Sequence, residues 1–254
     1  MSERITVSCE LFVDFIKKST LEGEIPQLLL KQTENGYEVG VMAENVISCT
    51  GLILKKNFVM YGKVGDITIK NVKMFIELIK DMKDNITIEK KEDRIIIHGD
   101  KVDVEYILCS EEFIETTLPE PVTIDFDDGF KIPKDFFLSL VSKAKLFDVS
   151  SLTLKVEKKV LKGVVEDNDK YIVKEEVPYK DCESDYGRWI YKLANYMEDK
   201  VVVSFDTNYP IRVISKNSNF ELNYIIAPFV KTDVVEEEDE GKEKDKDKKD
   251  KKDG

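Results

Sequence analysis

Four segments of this 254-residue chain follow one plan, a short amphipathic helix and then three strands, at a spacing of about 55 to 60 residues. In the first, apolar periodicity predicts a helix around Glu10–Ser19 and strands at Gln27–Gln32, Tyr37–Met42 and Ser48–Leu54. The second has a helix around Lys70–Met82 and strands at Ile86–Lys90, Arg94–His98 and Val102–Leu108, separated by Glu92-Asp93 and Gly99-Asp100 turns. In the third, Pro133 opens a helix to Lys145, followed by strands at Leu152–Glu157, Val160–Glu166 and Tyr171–Val177. The fourth runs from a helix at about Tyr186–Glu198 through Val201–Phe205, Ile211–Ser215 and Phe220–Ala227. One such unit cannot bury its own sheet face, so two make a domain. The Pro-containing stretch Glu111–Pro121 is then the linker. This predicts an α+β protein with an N-terminal domain at 1–110, a linker at 111–121, a C-terminal domain at 122–231 and a disordered charged tail at 232–254.

The outward faces of the helices carry cations. On the second helix Val72, Phe75, Ile76 and Ile79 form the inward stripe, leaving Lys70, Lys73 and Lys80 opposite. On the fourth, Ile190, Leu193, Ala194 and Met197 repeat the stripe, with Arg188, Lys192 and Asn195 outward. The first helix places Lys17 and Lys18 outward beside Glu10 and Asp14. The third is the weakest case, with Asp135, Ser139 and Ser142 outward and Lys143 and Lys145 flanking. One such face is an ordinary solvated surface. Its recurrence points to sequence-independent phosphate contacts with double-stranded DNA, although a tandem binding module without DNA would share the repeat pattern.

A formal charge of −12 argues against binding nucleic acid by bulk attraction. The tail from Asp233 carries 11 acidic and 7 basic residues, so most of the negative charge belongs to the folded body. No window approaches the roughly 20 apolar residues of a membrane helix, and Met1-Ser2-Glu3-Arg4-Ile5 does not open a secretory signal, so an intracellular location without membrane contact is expected. Cys9, Cys49, Cys109 and Cys182 are far apart, with no C-x-x-C pair, and are expected to be reduced thiols.

Three short runs make the pattern specific. Val41-Met42-Ala43-Glu44-Asn45-Val46-Ile47-Ser48, Thr207-Asn208-Tyr209-Pro210-Ile211 and Tyr224-Ile225-Ile226-Ala227-Pro228 fall in the order and repeat context of a strand and loop, a proline turn and a terminal strand of the proliferating cell nuclear antigen family of sliding clamps. The chain resembles that family over about residues 3–230, and departs from it at Phe229 and in a longer, lysine-rich tail. The resemblance implies a DNA clamp fold with antiparallel sheets outside and helices lining a ring. It also implies a head-to-tail homotrimer around duplex DNA and partners, DNA polymerase and clamp loader among them, that insert short peptide motifs. Mapped residue by residue, it puts Met42, Val46, Cys49, Tyr209, Pro210, Ala227 and Pro228 in a partner pocket beside linker residues Ile114 and Leu118. It pairs the strand at Glu105–Ser110, carrying Tyr106, Ile107 and Leu108, with Tyr171, Ile172 and Val173 of the next subunit. Core packing of Met42, Val46 and Cys49 is the competing expectation, and side-chain exposure decides it.

No chemistry is expected. His98 has no nucleophile near it in sequence, and Asp125, Asp127 and Asp128 fit a strand-to-turn segment better than a metal site. There is no phosphate-binding glycine loop, and Trp189 reads as a flanking core residue. The chain is expected to be no enzyme and to need no cofactor or metal. Two other readings stay open, a clamp-like monomeric processivity factor and a checkpoint-type clamp subunit acting as a scaffold.

Overall fold

The computed structural model describes residues 3–116 and 124–229, so Leu118 and the charged tail lie outside the described residues. The strands are β1 (Arg4–Ser8), β2 (Leu28–Thr33), β3 (Gly36–Ala43), β4 (Ile47–Leu54), β5 (Phe58–Tyr61), β6 (Ile67–Ile69), β7 (Asn85–Lys90), β8 (Arg94–His98) and β9 (Asp103–Ile107) in the N-terminal half. The C-terminal half contains β10 (Phe130–Pro133), β11 (Leu152–Glu157), β12 (Val160–Glu166), β13 (Lys170–Glu176), β14 (Cys182–Tyr186), β15 (Lys200–Ser204), β16 (Ile211–Lys216) and β17 (Phe220–Ile226). The helices are α1 (Cys9–Ser19), α2 (Val72–Ile79), α3 (Lys134–Phe147) and α4 (Arg188–Ala194).

Each helix is entered from a strand, β1, β6, β10 or β14, that the repeat plan omits. These strands join the two units of each half. β1 precedes α1 but pairs with β7, after α2, while β6 precedes α2 but pairs with β2, after α1. The C-terminal half repeats the exchange, β10 with β15 and β14 with β11. Neither unit completes its sheet alone, which gives a physical reason for the pairing of units. The strands escape a periodicity reading because they are short or, like Cys182-Glu183-Ser184-Asp185-Tyr186, polar at alternate positions.

All pairings are antiparallel. A five-stranded sheet runs β5-β1-β7-β8-β9, a four-stranded one β13-β12-β11-β14, and an eight-stranded one β10-β15-β16-β17-β4-β3-β2-β6. The last crosses between the halves, β17 zipping onto β4 from Phe220↔Ile53 to Ile226↔Ile47. The core lies between the sheets and the helices: Phe12, Phe15 and Ile16 of α1 are buried, and Phe15 meets Phe220 edge-on at 5.6 Å. Burying three such side chains is worth about 1.5–3 kcal/mol each.

Two helices are shorter than predicted. Asn71 ends the run before α2, its side chain accepting from the Met74 N–H, so Lys70 lies ahead of the helix and Lys80 caps its end. Tyr186 belongs to β14, Gly187 caps α4, and the helix stops at Ala194. Pro133 is likewise the last residue of β10 and the N-cap of α3 rather than its first residue.

Candidate DNA-facing helices, partner groove and free edges

The helix side is less positive than its cations suggest. Six of the nine predicted DNA-facing cations are held by carboxylates of the same chain. Lys17 pairs with Glu22 at 3.9 Å, Lys18 with Asp14 at 2.9 Å and Glu198 at 2.7 Å, Lys73 with Glu24 at 3.6 Å, and Lys80, Arg188 and Lys192 with Glu77, Glu44 and Glu24. Lys143 lies over the Tyr171 ring at 5.4 Å, while Lys70 and Lys145 make no ion pair among the described residues. Arg188 and the Trp189 Nε1–H, at 3.1 Å, share Glu44, which with Asn45 forms the left-handed corner of the β3–β4 hairpin, φ 53° and 54°. α4 is thereby tied to the opposite half of the molecule.

On the face away from the helices, register places side chains in a row. Met42 lies opposite Ser48, Ser48 opposite Ile225, and Ile225 opposite Arg212. Met42, Val46, Tyr209, Pro210, Ala227 and Pro228 are half-buried there. The Ala227 N–H donates to the Val46 carbonyl at 2.8 Å, and the Met42 N–H to the Thr116 carbonyl of the linker at 2.8 Å, so linker and terminal segment border one groove. The far end carries Tyr209, edge-on to Phe126, and Arg212, whose guanidinium stands over Phe126 at 4.8 Å.

Cys49 does not belong to this groove. Strand alternation turns it inward with Val41 and Tyr224, it is fully buried, and burial pushes its thiol pKa far up. Ile114 is 5% exposed and offers little surface. Ile225 and Arg212 are the groove residues that sequence reasoning missed. Period-two alternation from Tyr224 inward would have found the first.

Three sheet edges carry apolar side chains into solvent, β5 among them with Val59 54% exposed. β9 ends the five-stranded sheet with Ile107 57% exposed, and β13 ends the four-stranded sheet with Ile172 41% exposed. Met74 and Leu78 of α2 and Leu146 of α3, on the helices beside these edges, are exposed as well. Tyr171 and Val173 are half-buried, as is Leu108, which follows β9. Tyr106 turns its side chain inward: it is 3% exposed, packs edge-on against Phe75 at 5.0 Å, and its hydroxyl accepts from the Asn71 N–H, so it offers this edge only its backbone.

No family model matches the sequence, and no curated protein matches it. Solved structures do. The Proliferating Cellular Nuclear Antigen of Entamoeba histolytica superposes with a TM-score of 0.77 at 16% identity, over 91% of this chain and 100% of that one. The A. fulgidus PCNA, solved with the C-terminal region of FEN-1 bound, gives 0.78 at 13% identity over 91% and 99%. The Thermococcus kodakaraensis PCNA gives 0.75 at 16% identity over 90% and 100%. The chain has the sliding-clamp fold.

Within this clamp fold no described residue cluster is arranged to hold a metal ion, and no described helix is long and apolar enough to cross a membrane. His98 faces Asp103 at 3.0 Å and Glu89 at 3.6 Å on the sheet surface, and Asp127 is taken by Lys180. Trp189 is buried in the first turn of α4, a core residue as its sequence position suggested. The thiols differ sharply: Cys9, Cys49 and Cys182 are buried, burial pushing Cys182 up to about 11, whereas Cys109 is partly exposed. A thiol-specific disulfide reagent is therefore expected to label Cys109 alone within minutes in the native protein, all four reacting after denaturation. Peptide mapping of the labelled protein reads this out, and fast labelling of Cys49 would contradict its core position.

Proposed function

We propose that the chain is one subunit of a non-catalytic homotrimeric ring that encircles duplex DNA inside the cell and tethers DNA polymerase and other DNA-processing proteins without reading sequence. One observation carries this reading. Within the clamp fold, the two strands predicted to meet between subunits are both sheet edges, each paired on one side only among the described residues and each exposing an isoleucine. Pairing β9 of one subunit with β13 of the next joins their sheets and covers both edges. Met74, Leu78 and Leu146 supply the apolar contact beside that pairing. Residues 1–110 and 122–231 act as the two domains of the subunit, with 111–121 as linker, and the charged residues 232–254 lie outside the described residues. The ring's hold on DNA is topological, so its contacts are weak and sliding.

The groove lined by Met42, Val46, Ile225, Ala227, Pro228, Tyr209 and Pro210 receives the anchor side chains of short partner peptides, those of polymerase and clamp loader included. Two measurements test the reading together: solution mass by light scattering, and clamp-dependent primer extension on a circular template. A trimer that extends polymerase run length supports it, and a concentration-independent monomer ends it. Replacing Lys73, Lys80, Arg188 and Lys192 by Ala is expected to leave the trimer intact and to reduce loading roughly tenfold, since every cation that neutralises a phosphate adds to the counterion release that drives binding. Unimpaired loading would remove the helices from the DNA face.

A further inference from the structure

Glu24 lies in the loop after α1, and the loop is built to hold it. Leu21, Glu22 and Gly23 all take left-handed backbone conformations, φ 51°, 58° and 81°. For Leu21 and Glu22 this costs of order 1 kcal/mol each and persists only where the surroundings impose it. Here they do. The Glu22 N–H donates to the Lys17 carbonyl at 2.7 Å, the Ile25 N–H to the Thr20 carbonyl at 3.0 Å, and the Val72 N–H of α2 to the Pro26 carbonyl at 2.9 Å. The loop is pressed so closely on α2 that a Cβ on Gly23 would stand 2.5 Å from Lys73 Cγ.

This geometry puts the Glu24 carboxylate between two helices from opposite halves, bonded to Lys192 of α4 and 3.6 Å from Lys73 of α2. Glu22 beside it accepts from the Tyr196 hydroxyl at 2.9 Å. Lys192, and then Lys73, hold the Glu24 carboxyl below the usual carboxylate range, so it stays ionised at neutral pH. Leu21, Glu22, Glu24, Lys73 and Tyr196 share one open depression of about 380 Å³, on the side that carries the helices.

We propose that Glu24 is an internal phosphate mimic, a fixed counterion that occupies Lys73 and Lys192 when DNA is absent and competes with backbone phosphates for them when it is present. The proposal rests on the DNA-facing role of the helices given above. Lys73 is 65% and Glu24 40% exposed, and exposed ion pairs of this kind are weak enough to exchange partners. A phosphate that displaces Glu24 releases fewer counterions than one meeting a free lysine. The carboxylate therefore lowers both DNA affinity and its salt dependence, favouring movement along the duplex over gripping it.

The test uses the full chain and a fluorescein-labelled linear duplex, with anisotropy read across a salt series. Glu24→Gln is expected to bind on the order of tenfold tighter at low salt, its log–log salt slope steeper by about 0.9 for each cation freed. Adding Lys73→Ala and Lys192→Ala to Glu24→Gln should abolish that gain. Glu221→Gln controls for net charge: it removes an ion-paired carboxylate from β17 on the face away from the helices, and should give no comparable gain. An equal gain in that control, or one that survives in the triple variant, overturns the proposal. Unchanged affinity and slope for Glu24→Gln, with lower thermal stability, would make the bridge a strut between the halves and also overturn it. If Glu24→Gln is silent while Lys73→Ala with Lys192→Ala weakens binding, the DNA-facing reading stands and only the counterion role fails. If neither lysine loss nor Glu24→Gln changes binding, both fail.

Discussion

Ile172→Asp is expected to convert the assembly into monomers at micromolar concentration. The side chain is 41% exposed on the edge strand β13, so an aspartate there is hydrated and harmless in the isolated subunit. In a β9–β13 junction the same carboxylate would be desolvated beside Ile107 and the flanking apolar residues. Burying an unpaired charge costs several kcal/mol, and about 3 kcal/mol per junction already weakens each by roughly two orders of magnitude. Ile107→Asp should have the same effect from the opposite edge. The two variants together separate head-to-tail from like-with-like pairing. Each keeps one intact edge, so an equimolar mixture should form a heterodimer that cannot close. Like-with-like pairing would instead let Ile172→Asp dimerise alone through β9. Light scattering reads all three states, and circular dichroism checks that each subunit is folded. An undiminished oligomer for either single variant would sink the junction.

Gly51→Val should destabilise the subunit by about 2 kcal/mol. Gly51 lies on β4 where the strand is paired on both sides, opposite Leu222 on β17 and Val39 on β3. A Cβ there would stand 2.5 Å from Leu222 Cδ2, 2.9 Å from Val39 Cγ1 and 3.3 Å from Phe15 Cε2. Overpacking of this kind costs about 1–3 kcal/mol, and the upper end applies because three elements would have to move together. The gain from replacing glycine in a strand returns only about 0.5–1 kcal/mol, so packing wins. Gly163 is the counterpart on β12, where a Cβ would meet Leu140 Cδ1 at 2.5 Å and Phe136 Cζ at 3.0 Å on α3. In both halves a strand glycine makes room for the aromatic face of the first helix. Urea unfolding should show a lower midpoint at unchanged slope for Gly51→Val. An unchanged midpoint would mean that α1 is not seated over this glycine.

The strands that begin and end in alternation were legible: Leu152–Glu157 and Val160–Glu166 match to the residue, and Arg94–His98 does as well. The short strands before each helix were not, because three to five residues carry too little periodicity to separate them from a loop. The two faces of β3 and β4 were readable in principle, since alternation sends Met42 and Ser48 one way and Val41 and Cys49 the other. Family motifs alone do not sort faces, so they do not show that the side chains of Cys49 and Tyr106 turn inward. Lys17, Lys18 and Lys80 have carboxylates within five residues, but the neutralisation of α4 lay beyond local sequence: Lys192 and Glu24 are 168 residues apart, and only the packing of α4 against the first loop joins them.

The β4–β17 seam also sets a timetable for synthesis. At that seam the Asn57 side-chain amide donates to the Asn219 carbonyl, across 162 residues of chain. At ribosomal speeds of about 5–20 residues per second, β4 waits roughly ten seconds or more for the strand that covers it. Throughout that interval its bare edge, Ile47 to Leu54, is exposed to any other nascent strand. During its own translation the subunit is therefore open to mispairing at an edge that the folded protein covers.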